Sequence, residues 1–112
     1  YTVNYKIIEP TAICEFISKN PDAVLLDVRT KLEFEGKTDE YGTLKNAINI
    51  PIQELEERLN EISNLKSKKI IVYCSHSHRS PVASHFLTQN GFTDVTNMAG
   101  GMSVMVDNSC KK

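Results

Sequence analysis

One cysteine stands where a strand-like run meets a helix-like one. Cys74 closes the apolar run Ile70-Ile71-Val72-Tyr73, and Ser75-His76-Ser77-His78-Arg79 leads directly to Ser80-Pro81 and an amphipathic stretch. A loop this short between a buried strand and a helix amino end must curl with successive backbone N–H groups pointing inward. That makes an anion-binding nest, reinforced by the helix dipole. A thiolate is itself an anion. A free thiol of pKa about 8.5 is only slightly ionised at neutral pH, and both the helix end and the Arg79 guanidinium favour its charged form. Residue type and spacing therefore make Cys74 a candidate nucleophile. The plain alternative is a small buried thiol ending a strand.

The elements around Cys74 follow from hydrophobic period. Residues 23–28, 47–50, 69–74 and 94–98 read as buried strands, with 5–8 as an edge strand. Thr11 is placed to cap a first helix with Ile13, Phe16 and Ile17 on its apolar face, ended by Asn20-Pro21. Ile52, Leu55, Leu59 and Ile62 recur at helical spacing behind Pro51, with Glu54, Glu56, Glu57, Arg58 and Glu61 filling the other face. Ser80 is placed to cap a third helix with Pro81 at its first position, Val82, Ala83, Phe86 and Leu87 buried, and Asn90-Gly91 as its stop. Strands alternating with helices predict an α/β fold, an open sheet of about five mostly parallel strands with helices on both faces. The aperiodic stretch 31–46 reads as a loop with a short helical turn at 32–35.

Composition narrows the function classes. The chain has 112 residues, 13 Lys and Arg against 14 Asp and Glu, 40% apolar residues and a net charge of -1. One core and one domain over 1–112 are expected. The near-zero charge argues against nucleic acid or an anionic membrane as a partner, and no apolar stretch is long enough to span a bilayer. The chain opens on Tyr1 rather than Met, so it reads as lacking its native start. The three cysteines, at 14, 74 and 110, are odd in number and widely spaced. They read as a poor disulfide framework suited to a reducing, cytoplasmic setting, with the periplasm left open. Cys14 reads as a helix thiol, and Cys110, beside Lys111-Lys112, as an exposed one.

At these residues the sequence resembles the rhodanese-like sulfurtransferases, and the likeness covers most of the chain. Cys74, four intervening residues, Arg79 and Ser80 match that family's active-site loop. Leu25-Leu26-Asp27-Val28-Arg29 with Glu33-Phe34 matches its strand signature, and Gly42 to Pro51 its middle segment. Gly91-Phe92, Val95 and Met98-Ala99-Gly100-Gly101-Met102 match its closing segment. The resemblance implies a persulfide relay, in which the thiolate takes the outer sulfur of a donor and passes it to a thiophilic acceptor. Cys74 would carry the sulfur, and backbone N–H groups of Ser75, His76, Ser77, His78 and Arg79 would hold the persulfide anion. Arg79 would order the loop and add positive charge, while Ser80 would cap the helix and offer its hydroxyl to the sulfur. Asp27 and Arg29 would hold the neighbouring strand end and loop together. No cofactor and no metal is implied. The partners would be a small sulfur donor such as thiosulfate and a cyanide, thiol or protein acceptor.

The sequence departs from the family pattern in places. Ser77 stands where the loop has Gly, and a left-handed conformation there costs on the order of 1 kcal/mol, so a slightly reshaped loop is expected. Ser75 stands where thiosulfate-preferring members carry Arg, leaving His76 and His78 as the added, titratable charge. Thiosulfate is then expected to be a poor donor, or one favoured below about pH 6.5. Thr43 replaces a His, a few inserted residues around Lys37 to Glu40 precede it, and Met105 replaces a Trp.

Three other readings compete. Cdc25-like phosphatases and arsenate reductases also cradle an oxyanion between Cys and Arg, but their loop is one residue longer. A partner-binding module without catalysis is a second reading, though such modules usually lack the cysteine. Metal binding by Cys74, His76 and His78, with His85 on the next helix, is the third, and it lacks a Cys-x-x-Cys partner at structural-zinc spacing.

Overall fold

Five short apolar runs pair into a single sheet. In the computed structural model, which describes residues 5–38, 41–76 and 78–112, the strands are β1 (Lys6–Ile8), β2 (Val24–Asp27), β3 (Ile48–Asn49), β4 (Ile70–Tyr73) and β5 (Val95–Met98). Their order is β1-β5-β4-β2-β3 and every pairing is parallel, with Leu26 opposite Val72 and Asp27 opposite Tyr73. The sheet is therefore fully parallel, as the alternation of strands and helices predicts.

Period-two alternation sends side chains of the central strands to two cores. Val72 and Cys74 join Leu26, Val28, Ile50, Leu55, Ile62, Ala83 and Leu87 on one face. Ile71 and Tyr73 join Ile13, Leu25, Leu44, Met98, Met102 and Met105 on the other. Both faces are thus covered, which is why β4 carries no polar alternation and is buried throughout. Each fully buried aliphatic side chain of this kind stabilises the fold by about 1.5–3 kcal/mol.

Among the described residues three α-helices accompany the sheet: α1 (Ile13–Lys19), α2 (Lys31–Phe34) and α3 (Arg79–Gln89). Their boundaries revise several expectations. Pro10 opens a 3₁₀ turn ahead of α1, so Thr11 lies inside that turn and Ala12, without a side-chain cap, precedes the helix. His78, not Ser80, occupies the cap position of α3. Ser80 falls in the first turn, with its hydroxyl 3.4 Å from the Cys74 sulfur. Val82 is 61% exposed rather than part of the buried face of α3. In its place, the small Ser80, Ala83 and Ser84 let the helix sit close to the sheet.

The stretch behind Pro51 buries Leu55 and Ile62 as its period predicts, but it does not form an α-helix. It runs as 3₁₀ turns over Ile52–Glu54 and Leu59–Leu65. Asn60, Ser63 and Asn64 are weak helix formers, and the Ser63 hydroxyl donates to the Asn60 carbonyl at 3.1 Å, competing with the helical ladder.

The cysteine expectation is also corrected. Cys14 on α1 and Cys110 in the tail form a disulfide with Cα atoms 5.3 Å apart, across 96 residues of sequence. The fold brings α1 and the tail together on the face that holds Ile13 and Met105, within the reach a disulfide needs. Cys74 is left as the free thiol. The expected adjustment at Ser77, and Asp39 and Glu40 of the expected insertion, lie outside the described residues. No helix among the described residues is long and apolar enough to cross a membrane.

Candidate active site

β2 and β4 are neighbours, and their chains leave the sheet in opposite directions, β2 toward β3 and β4 through α3 toward β5. Such a divergence opens a crevice at the carboxyl ends of the two strands. Cys74 and Asp27 sit there. Cys74 has no exposed surface, and its sulfur lies 3.4 Å from the Ser80 hydroxyl. Burial pushes the Cys74 thiol up, but the Ser80 hydroxyl and the backbone N–H groups of Ser80, Arg79 and His76 outweigh it, and the thiol is held below its ordinary value. The nest expected from the loop's length is thus aimed at this sulfur, at the amino end of α3.

Glu33 ties the loop to α2. Thr30 and Glu33 form a capping box, with the Glu33 amide donating to Thr30 Oγ1 at 3.2 Å and the Thr30 amide donating to Glu33 Oε1 at 3.0 Å. The same carboxylate accepts Arg79 Nη1 at 2.6 Å and Nη2 at 2.9 Å, and Ser75 Oγ at 3.3 Å. Arg79 Nη2 also donates to Ser75 Oγ at 3.0 Å. The Arg79 fork holds the Glu33 carboxyl down to about 2 against the opposing effect of burial. The charge of Arg79 is therefore mostly spent on Glu33. Glu33 belongs to the signature next to Arg29, and the Thr30-x-x-Glu33 spacing is a readable cap signal, but its bond to Arg79 across 46 residues is not written locally.

The other side of the loop is fixed by backbone. The amide of Met102 donates to the Cys74 carbonyl and that of Ser103 to the Ser75 carbonyl, each at 2.9 Å. Gly101, at φ +70°, permits this approach, since a Cβ there would lie 2.5 Å from the Cys74 carbonyl oxygen.

Asp27 and Arg29 form a buried layer at the carboxyl end of β2. Both side chains are fully buried, joined by Arg29 Nη2 to Asp27 Oδ2 at 2.6 Å and Nε to both carboxylate oxygens at 3.0 Å. Arg29 Nη2 reaches the Gly42 carbonyl at 2.9 Å, and Thr43 Oγ1 bridges Asp27 Oδ2 at 3.3 Å and the Tyr73 hydroxyl at 2.8 Å. Burial and the Asp27 charge raise the Tyr73 phenol, which stays neutral. The sequence shows Thr43 only as a replacement for the family's His and Tyr73 only as part of an apolar run, because the bond between them spans 30 residues.

His76 and His78 are exposed at the mouth of the loop. The Tyr41 hydroxyl lies 3.2 Å from His76 Nε2, with the rings edge to face at 5.5 Å. His85 is exposed on α3, away from any ligand-like grouping: among the described residues no three His, Cys, Asp or Glu side chains converge to hold a metal.

The chain is similar to known proteins. The chain is 37% identical over 101 residues to the uncharacterized protein YqhL of Bacillus subtilis, covering 90% of this chain and 75% of that one. It is 33% identical to a tRNA uridine(34) hydroxylase of Cytophaga hutchinsonii, covering 87% of this chain but only 30% of that protein. Among solved structures, an NAD-dependent persulfide reductase from A. fulgidus superposes with a TM-score of 0.64 at 34% identity, over 88% of this chain and 15% of that one. The model of the rhodanese-like domain matches residues 14–108, and the chain belongs to that family.

Proposed function

We propose that the chain, as one rhodanese-like domain over 1–112, is a sulfurtransferase that carries sulfane sulfur as a persulfide on Cys74. The observation that supports this best is the free thiol of Cys74, held below its ordinary pKa by Ser80 and three loop amides at the amino end of α3. The Cys74 thiolate attacks the outer sulfur of a donor such as thiosulfate, forming a new S–S bond. The donor's own S–S bond breaks, and sulfite leaves with the electron pair. Cyanide or a thiolate then attacks the outer sulfur of Cys–S–S⁻, and the Cys74 thiolate departs with its electron pair, ready for another cycle. The inward amides that lower the thiol suit the persulfide anion equally.

In this proposal Ser75, His76, Ser77, His78, Arg79 and Ser80 form the persulfide-holding loop, and Asp27 and Arg29 support it. The Glu33–Arg79 pairing argues that Arg79 orders the loop more than it attracts anionic donors. The persulfide reductase that this chain resembles carries a related domain within a longer enzyme. The expected cytoplasmic setting belongs to the same reading, with Cys14 and Cys110 then reduced by the compartment's thiols. Four residues between Cys74 and Arg79 also leave the loop one short of the phosphatase-like length. The test is thiocyanate release from thiosulfate and cyanide. Turnover by the wild type and none by Cys74→Ser supports transfer, whereas equal rates in both refute it.

A further inference from the structure

The Cys14–Cys110 disulfide does more than close the chain. Behind it, the tail pairs antiparallel with the segment that roofs the Asp27–Arg29 layer, through a bridge between Leu44 and Lys111. The Lys45 amide donates to the Cys110 carbonyl at 3.0 Å, and the Lys112 amide donates to the Thr43 carbonyl at 2.8 Å. On its other side this same segment presents the Gly42 carbonyl to Arg29 and the Thr43 hydroxyl to Asp27 and to Tyr73, the residue that precedes Cys74. Among the described residues the tail has further ties through lysine side chains. Lys45 Nζ reaches the Ser109 carbonyl at 3.5 Å and Lys111 Nζ the Met105 carbonyl at 3.3 Å, while Val106 is 82% exposed. Both cysteines are half-buried, so a small thiol can reach them.

We propose that Cys14–Cys110 is a reversible redox site, acted on by a dithiol, that latches the tail onto residues 42–45 and so positions the buried Asp27–Arg29–Tyr73 cluster at the strand ends that lead to Cys74. One thiolate of the dithiol attacks a sulfur of the bond, giving a mixed disulfide and freeing the other cysteine. The second thiolate closes the reagent's own ring disulfide and frees the remaining cysteine. Two electrons and two protons pass from the dithiol to the protein, leaving two cysteine thiols. Without the covalent link the short pairing at Leu44 and the side-chain ties of Lys45 and Lys111 must hold residues 106–112, and a pairing of that size is marginal. A latch closing so long a loop also removes much entropy from the unfolded chain, so opening it lowers the melting midpoint by about 10 °C or more.

The experiment uses Cys74→Ser protein, so that no sulfur transfer enters, in air-oxidised form, after dithiothreitol, and after re-oxidation. Intact mass establishes the bond by the loss of two hydrogens. Amide exchange at Lys45 and Lys112 is expected to rise about tenfold or more on reduction and to return on re-oxidation. Cys110→Ser is expected to match the reduced protein. In the wild type with reductant removed, opening the latch is expected to slow sulfur loading of Cys74 severalfold, with recovery on re-oxidation. Failure of the bond to form, or exchange unchanged by reduction, overturns the latch. Faster exchange with unchanged loading overturns its coupling to the site. If no form loads sulfur, the transferase reading fails, while the exchange result still decides the latch.

Discussion

The Glu33 carboxylate closes the cap of α2 and at the same time receives both outer nitrogens of Arg79, at 2.6 and 2.9 Å. One side chain thereby joins the loop after β2 to the loop after β4. Its folded pKa, about 2, lies below the ordinary carboxylate value of 4.5, so its contribution is fully present above about 4.5 and is lost as pH falls toward about 2. That contribution is on the order of 2 kcal/mol. Denaturant unfolding of wild type and Glu33→Gln should differ by this amount at pH 7 and converge near pH 2. A difference that persists unchanged at low pH contradicts the pairing.

Arg79 makes a two-pronged contact that a lysine cannot reproduce. Arg79→Lys is expected to slow sulfur loading of Cys74 severalfold and Arg79→Ala by about tenfold or more, the loop losing its tie to Glu33 and Ser75. Single-turnover loading rates check the order. Equal rates for wild type and Arg79→Ala remove the loop-ordering role.

Ser80 acts on the thiol through a single hydroxyl 3.4 Å away. Ser80→Ala removes the first of the influences that hold the Cys74 thiol down, so the pH profile of its alkylation by iodoacetamide should move to higher pH. The rate should fall severalfold on the acidic limb of the profile and change little on its alkaline plateau. A profile that stays in place means that the loop amides alone set the thiol.

Gly101 lies against the backbone of Cys74 and Ser75 at a left-handed φ of +70°. Gly101→Ala must push its Cβ into the Cys74 carbonyl, and is expected to lower stability by more than about 2 kcal/mol. Loading of the protein that remains folded should fall as well. Chemical denaturation together with loading measurements checks both effects.

Removing the Asp27 charge takes from the fully buried Arg29 guanidinium the carboxylate that lies 2.6 Å from its Nη2. Asp27→Asn is expected to destabilise by about 3–5 kcal/mol. Because Ser80 and the loop amides hold the Cys74 thiol down, the Cys74 alkylation profile of the folded fraction should keep its shape. A large change in that profile moves Asp27 from support into the thiol's own environment.

How much of this was legible depended on how local each cause is. β4 could be read because burial on both faces leaves an unbroken apolar run, and Cys74 because a strand passes to a helix within a few residues. The match of Asp27, Arg29, Cys74 and Arg79 to a known pattern carried the site further than period alone. The stretch behind Pro51 showed the right apolar period, yet Asn60, Ser63 and Asn64 turned it into 3₁₀ turns, since period reports which side is buried and not how tightly the backbone winds. Ser80 satisfied the rule for a cap, but the sulfur of Cys74 claimed its hydroxyl. Glu33 with Arg79, Tyr41 with His76 and Cys14 with Cys110 meet only through the fold, across 46, 35 and 96 residues.

The most direct test of the central claim is the intact mass of reduced protein after incubation with thiosulfate at several pH values, beside Cys74→Ser. The account predicts a gain of one sulfur atom by the wild type, removed by cyanide or a thiol and absent in the variant. If neither thiosulfate nor a stronger donor such as mercaptopyruvate adds sulfur to Cys74, the persulfide account is contradicted, and binding of a protein partner without transfer takes its place.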